Sequence, residues 1–275
     1  MTGVDTPDGH VFFQGDHRLE GILEWPESDP GGNFAVEGDA GPGVAGADSA
    51  GKDVRPGEGG PCSAGEGAPV KGGVVIAHPY PPHGATMAQP VVYRIAQSSR
   101  RRGFATLRFN FRGVGESLGH FSGTEEHRDV EAAAVFLAER LAARNGGPGR
   151  GSTPLPLALA GYSFGSVMVA RAAAGAAVPV RALALVGFVV SWEHVPPDTF
   201  ERLAAYRGPV LAVCAENDAL GYPEDVERVL RTLRLDFRLS VVEGAGHFLE
   251  GRHREVGETV GAFLAETLCP GERSR

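Results

Sequence analysis

From Val74 onward the chain alternates short apolar runs with longer stretches of helical period. Val74-Val-Ile-Ala77 is apolar and β-branched, as expected of a buried strand. The Pro-rich stretch His78-Pro-Tyr-Pro-Pro-His-Gly-Ala-Thr-Met87 follows it. Val91 to Arg102 then carries Val91, Val92, Ile95 and Ala96 at helical spacing, and Gly103 closes it as a cap. The same alternation predicts strands over Phe104–Phe111, Leu157–Ala160, Ala182–Val186, Val210–Ala215 and Phe237–Val242. Helices are predicted over Glu125–Arg144, Ser166–Ala174, Pro223–Leu233 and Arg254–Leu268. Ahead of this region, Val11–Gln14 and Leu19–Trp25 read as a hairpin around Gly15-Asp16. Strands alternating with helices about six times mark an α/β fold with a mainly parallel sheet and helices on both faces. In such sheets ligands sit beyond the carboxyl ends of the strands, so the loops there are where chemistry is expected.

Composition changes the picture at one place. Glu27 to Gly73 is dense in Gly, Ala, Pro, Asp and Glu and poor in large apolar residues. Such a stretch buries too little surface to offset its ordering entropy, so residues 29–69 read as a disordered insertion within a single domain of residues 1–275. The residues before it are too few for a domain of their own. A net charge of −8 argues against nucleic acid as a partner. Cys62, Cys214 and Cys269 are odd in number and widely spaced, which suggests neither a disulfide frame nor a metal site. The opening Met1-Thr-Gly-Val-Asp-Thr-Pro7 lacks a basic, apolar leader, and no stretch approaches about 20 apolar residues. The expectation is therefore a cytoplasmic protein without a membrane span.

One loop carries the strongest chemical signal. Gly161-Tyr-Ser-Phe-Gly165 fits G-x-S-x-G and sits between a predicted strand and a predicted helix. A serine on so sharp a turn has strained backbone angles, and the residues two away, both glycine, must lack bulk where strand and helix crowd together. The turn lifts the Ser163 hydroxyl clear of the sheet and places it at a helix N-terminus, whose free N–H groups stabilise negative charge.

A serine hydroxyl needs a base, and the base needs an orienting acid. Asp218 follows the strand Val210–Ala215, and His247 follows Phe237–Val242 with glycines around it. The order Ser163, Asp218, His247 along the chain is the order such a fold uses. Glu216 is the rival acid, and His78, His83, His194 and His253 are rival bases. His78, before a proline at a strand end, reads as a structural hydrogen-bonding residue. His253 reads as solvated.

A tetrahedral oxyanion needs fixed donors. The Phe164 N–H, next after the serine, is one. Pro79, Pro81 and Pro82 have no N–H, so within Pro79–Pro82 only Tyr80 can donate. Gly84 is the alternative. Arg112-Gly-Val-Gly-Glu-Ser117 lacks the Lys-Ser/Thr ending of a P-loop and reads as a structural turn. Between the strands Ala182–Val186 and Val210–Ala215, residues 187–207 are too few for more than a partial wall. Phe188 and Trp192 give that wall an apolar side suited to a substrate's acyl group. No metal or organic cofactor is required.

Together these residues resemble the α/β-hydrolase superfamily, and within it a group of short, mostly bacterial predicted hydrolases. The resemblance rests on His78–Met87, Leu107-Arg-Phe-Asn-Phe-Arg-Gly-Val-Gly-Glu-Ser117, Gly161–Gly165, Glu216-Asn-Asp218 and Gly244-Ala-Gly-His-Phe248, and spans Val74 to Leu268. It implies an α/β-hydrolase fold with an eight-stranded sheet, first strands antiparallel, and a minimal lid. It assigns Ser163, Asp218 and His247 as the triad, with Tyr80 and Phe164 as oxyanion donors. The residues 27–73 and Gly84-Ala85, where the group has two glycines, depart from the pattern. The function expected is a serine hydrolase cleaving a small carboxylic ester. Peptidase or thioesterase action with the same triad, or a silent binding protein on the same fold, are the alternatives.

Overall fold

The computed structural model describes residues 9–26, 69–146, 153–193, 195–269 and 271. The proposed insertion at 29–69 lies outside them save for its last residue, as does His194. The strands are β1 (His10–Gln14), β2 (Arg18–Glu24), β3 (Gly72–Ala77), β4 (Phe104–Phe109), β5 (Leu157–Tyr162), β6 (Val180–Val186), β7 (Val210–Ala215) and β8 (Phe237–Val242). The helices are α1 (Pro90–Arg101), α2 (His127–Arg144), α3 (Phe164–Ala172), α4 (Thr199–Ala204), α5 (Pro223–Thr232) and α6 (His253–Leu268). One eight-stranded sheet runs in the order β1-β2-β4-β3-β5-β6-β7-β8. The β1–β2 and β2–β4 pairs are antiparallel and the rest parallel.

Side chains leave a strand on alternate faces, and here the alternation is also one of size. Leu157, Leu159, Leu183 and Leu185 enter one core, beneath α2 and α3. Ala158, Ala160, Ala182 and Ala184 enter the other, beneath α1 and α6. Small residues draw that second layer in tightly. A Cβ on Gly257 would sit 2.6 Å from the Arg94 carbonyl oxygen, and one on Gly261 2.4 Å from Ser98 Oγ, so α6 lies close against α1. Proline at the first position of α1 and α5 costs no hydrogen bond there and pre-sets φ.

The strand expected over Phe104–Phe111 ends at Phe109. Beyond it the Asn110 N–H still donates to the Glu20 carbonyl at 2.9 Å, but the Asn110 side chain and the Phe111 N–H serve the next loop. Asn110 Oδ1 accepts the Met87 N–H at 2.9 Å, and the Phe111 N–H donates to His78 Nε2 at 3.2 Å. The helix expected from Ser166 starts two residues earlier, directly after Ser163. Between β6 and β7 the only helix among the described residues is α4, of six residues, so no domain-sized lid stands there.

Candidate active site

At the end of β5 the chain turns at Ser163 with φ 54° and ψ −119°, one of three described non-glycine residues at positive φ. Such a backbone persists only where the surroundings over-determine it. The Ser163 N–H donates to the Val186 carbonyl at 2.9 Å, tying the turn to β6. A Cβ on Gly161 would lie 2.2 Å from the Gly165 oxygen, and one on Gly165 2.4 Å from the Ala77 oxygen. Both glycines are therefore steric necessities of the elbow.

The loops after β7 and β8 converge on this serine. Ser163 Oγ lies 2.8 Å from His247 Nε2, and His247 Nδ1 lies 2.7 Å from Asp218 Oδ2. A carboxylate only accepts, so Nδ1 carries the imidazole proton and Nε2 is left to accept from the hydroxyl. Asp218 has no exposed surface, and its Oδ1 accepts the Leu220 N–H at 3.0 Å. Glu216, the rival acid, points elsewhere: its carboxylate accepts the Gly244 N–H at 2.7 Å and pins the start of the His247 loop. The Tyr162 hydroxyl donates to the His247 carbonyl at 2.9 Å, and the two rings stack with centroids 6.0 Å apart. Burial, with Asp218 and Glu250 nearby, raises the Tyr162 pKa, so the phenol keeps its proton. Neither the Glu216 nor the Tyr162 contact was deduced from the sequence, since each joins residues brought together only by the sheet.

The loop after β3 is held at both ends. At its start His78 is fully buried, its Nδ1–H donating to the Pro79 carbonyl at 2.7 Å while Nε2 accepts from Phe111. Burial pushes its pKa down to about 4, so the ring is neutral, a structural role as expected. At the other end Asn110 holds the Met87 N–H and Arg108 donates to the Met87 carbonyl at 3.2 Å. Asn110 in turn donates to Glu20 at 2.8 Å, and Arg112 clasps buried Asp129 through Nε at 3.0 Å and its amino group at 2.7 Å. The Arg108–Ser117 motif is thus a clamp on the β3–α1 loop. A Cβ on Gly115, at φ 56°, would lie 2.4 Å from the Glu20 carboxylate, so the glycine turn closes over that network.

Within the clamped loop Tyr80 is set by four ring contacts, to Trp192 at 4.8 Å, His83 at 5.0 Å, Phe121 at 5.4 Å and Phe164 at 5.6 Å. Among the described residues neither the Tyr80 nor the Phe164 N–H donates to a protein acceptor. The Gly84 N–H, the alternative donor, is spent on the Pro81 carbonyl at 2.9 Å in the 3-10 turn Pro81–His83.

A cavity of about 520 Å³ opens over this site, with Ser163, His247, Tyr80 and Tyr162 in its lining. Trp192 lines it, as expected of a wall residue. Phe188 does not: its side chain has no exposed surface and packs in the core, 6.4 Å from the Phe200 ring. The reason is local. Gly187 bonds to β7 and a Cβ on Gly221 would lie 2.1 Å from the Phe188 oxygen, so this residue supports the Asp218 loop. His253 opens α6 and lines the cavity, half-buried, its Nε2 3.3 Å from the Phe248 carbonyl. A smaller cavity of about 280 Å³ lies on the other side of Tyr80 and Phe164. For a metal, His10, Glu20 and Glu116 bring candidate ligand atoms within 4.8 Å of one another, yet Glu20 is already engaged by Asn110, His10 and the Glu116 N–H. Cys214 is a core thiol pushed up to about 12 by burial. No described helix is long and apolar enough to cross a membrane.

A family model of the alpha/beta hydrolase domain matches residues 71–268. An uncharacterised protein of Rickettsia prowazekii is 25% identical over 198 residues, covering 69% of this chain and 77% of its own. The solved structure of an α/β serine hydrolase homologue from Coxiella burnetii matches with a TM-score of 0.65 at 24% identity, over 94% of this chain and 98% of that one. A solved α/β serine hydrolase from Xanthomonas campestris, described as lacking a lid, gives a TM-score of 0.62 at 21% identity, over 96% of this chain and 92% of that one.

Proposed function

The chain belongs to the alpha/beta hydrolase domain family, and from that premise we propose that it is a serine hydrolase cleaving small carboxylic esters. The observation that carries this reading is the continuous relay from Ser163 Oγ to His247 to Asp218, at 2.8 and 2.7 Å, on the floor of an open cavity. In the proposed cycle His247 Nε2 takes the Ser163 proton as Oγ attacks the ester carbonyl carbon. The carbonyl oxygen becomes an oxyanion, held by the Tyr80 and Phe164 N–H groups. Their lack of other partners supports that role, because a donor already committed cannot strengthen its bond in the transition state. Removing one such donor costs about 3 kcal/mol in related chemistry. The tetrahedral adduct collapses, the C–O bond to the alcohol breaks, and the alcohol leaves with the His247 proton. Water then gives a proton to His247 and attacks the acyl-serine carbon, and the second collapse releases the acid and restores Ser163. Asp218 holds the imidazole in the required tautomer and stabilises the imidazolium.

The short β6–β7 connection leaves the cavity open, which favours small acyl groups. A p-nitrophenyl ester series tests the reading. We expect kcat/KM to be highest from acetyl to butyryl, to fall at octanoyl and longer, and to show no jump when substrate forms micelles. Ser163→Ala should abolish the turnover. Hydrolysis that survives this substitution would sink the proposal.

A further inference from the structure

The lining of the main cavity has an unusual balance of charge. Four aromatic side chains, Tyr80, Tyr162, Trp192 and Phe248, line it together with His83, His247 and His253, and no Lys or Arg is in its lining among the described residues. Its single carboxylate outside the relay is Glu250. The acids of α6, which follows it, are paired: Glu255 with Arg252 at 2.9 Å, Glu258 with Arg102 at 2.8 Å and Glu266 with Arg238 at 2.6 Å. Glu250 makes no hydrogen bond or ion pair among the described residues. The nearest arginine in sequence, Arg252, is committed to Glu255 and to the Glu243 carbonyl at 3.1 Å.

Aromatic side chains and an unpaired carboxylate, without a competing Lys or Arg, are the elements that recognise a positively charged nitrogen. We propose that the cavity selects esters carrying a cationic nitrogen, a quaternary ammonium or protonated amine, with Glu250 as its charge partner and the rings as its wall. The inference rests on the serine hydrolase reading for its substrate, but the binding it requires does not. An anionic substrate would meet Glu250 and the buried Asp218 with no Lys or Arg in the lining to compensate. Glu250 is a specificity residue here and takes no part in the bond chemistry.

Two measurements test this. The first needs no turnover: Ser163→Ala protein, with its scaffold intact, is titrated with phenyltrimethylammonium by calorimetry, beside tert-butylbenzene sulfonate as an anionic control. We expect the ammonium to bind, the sulfonate not to, and Glu250→Gln in the same background to weaken the ammonium by about three- to tenfold. The second compares charged and uncharged isosteres on wild-type enzyme at pH 8. Choline butyrate is set against 3,3-dimethylbutyl butyrate for a cation on the alcohol side. A p-nitrophenyl ester of 4-trimethylammoniobutyrate is set against that of 5,5-dimethylhexanoate for the acyl side. In at least one pair kcat/KM should favour the cation by about tenfold, and about 0.5 M NaCl should shrink that ratio. In Glu250→Gln the ratio should fall toward one, a readout that a general loss of activity cancels. Equal binding of ammonium and sulfonate, or an ammonium affinity unchanged by Glu250→Gln, overturns the proposal even if the enzyme hydrolyses neutral esters. Ammonium binding as expected on a protein that cleaves no ester would uphold the cation site and refute the hydrolase reading alone.

Discussion

Asp218→Asn removes one negative charge and nearly preserves the side chain's shape. In the protein as it stands, Asp218 Oδ2 accepts from His247 Nδ1 at 2.7 Å and Oδ1 accepts from the Leu220 N–H at 3.0 Å. An Asn side chain can keep the Leu220 bond through its one carbonyl oxygen. Its amide then faces Nδ1 with N–H groups, so the imidazole can accept there only by moving its proton to Nε2. An Nε2–H cannot take the Ser163 proton. The analogous change in a serine protease triad costs about 10⁴-fold in kcat, which is about 5 kcal/mol. Glu216→Gln is the control. Its carboxylate is exposed and bonds a backbone N–H at 2.7 Å, so loss of the charge trims one bond without orphaning a buried group. That should cost less than about tenfold. The assay is kcat on p-nitrophenyl butyrate for both variants, with thermal melts to confirm that each is folded. An Asp218→Asn loss under tenfold, or a greater loss in Glu216→Gln, would refute the assignment of the acid.

Three other expectations follow from the geometry. Gly165→Ala forces a Cβ to within 2.4 Å of the Ala77 oxygen and should give insoluble protein or a steep fall in Tm, whereas Gly246→Ala meets nothing within 4 Å and should melt like wild type; equal melting of the two would contradict the elbow argument. Asn110→Leu orphans the Met87 N–H and takes from Glu20 Oε2 one of its two donors, the Glu116 N–H remaining at 2.7 Å, so urea denaturation should show a loss of about 1–3 kcal/mol. A loss below about 0.5 kcal/mol would show that the clamp does little. His78, held down to about 4 from an ordinary 6.5, stays neutral when folded while the unfolded chain takes up a proton. Stability should therefore fall as pH drops from 6.5 toward about 4, by up to about 3 kcal/mol, and this slope should flatten in His78→Gln.

What was legible in the sequence was local or followed from elimination. The apolar runs and helical spacing place the eight described strands and five of the six described α-helices to within a few residues, because burial on one or both faces dictates where apolar side chains recur. Tyr80 was reached as a candidate because three neighbouring prolines have no N–H, and Asp218 and His247 because they end successive strands. What was missed depends on pairs far apart in sequence. Glu20 and Asn110 are 90 residues apart, and Tyr162 and His247 are 85 apart, so their bonds exist only once the sheet has formed. Phe188 shows the other limit. Whether an apolar side chain after a strand faces a cavity or the core is decided by one step of backbone rotation. Here the Gly187 bend and the close approach of Gly221 turn it inward. The glycines about His247 divide likewise: Gly244 has φ 68°, while Gly246 has open space and no positive φ.

The central claim is that Ser163 is a nucleophile activated by His247. Labelling with a fluorophosphonate, followed by intact mass and peptide mapping, tests it without a known substrate. The probe forms one P–O bond to an activated serine and expels fluoride. The account predicts one adduct per chain, on the peptide bearing Ser163, absent from Ser163→Ala and strongly slowed in Asp218→Asn. Folded protein that takes up no probe, or an adduct on another residue that survives Ser163→Ala, would contradict it.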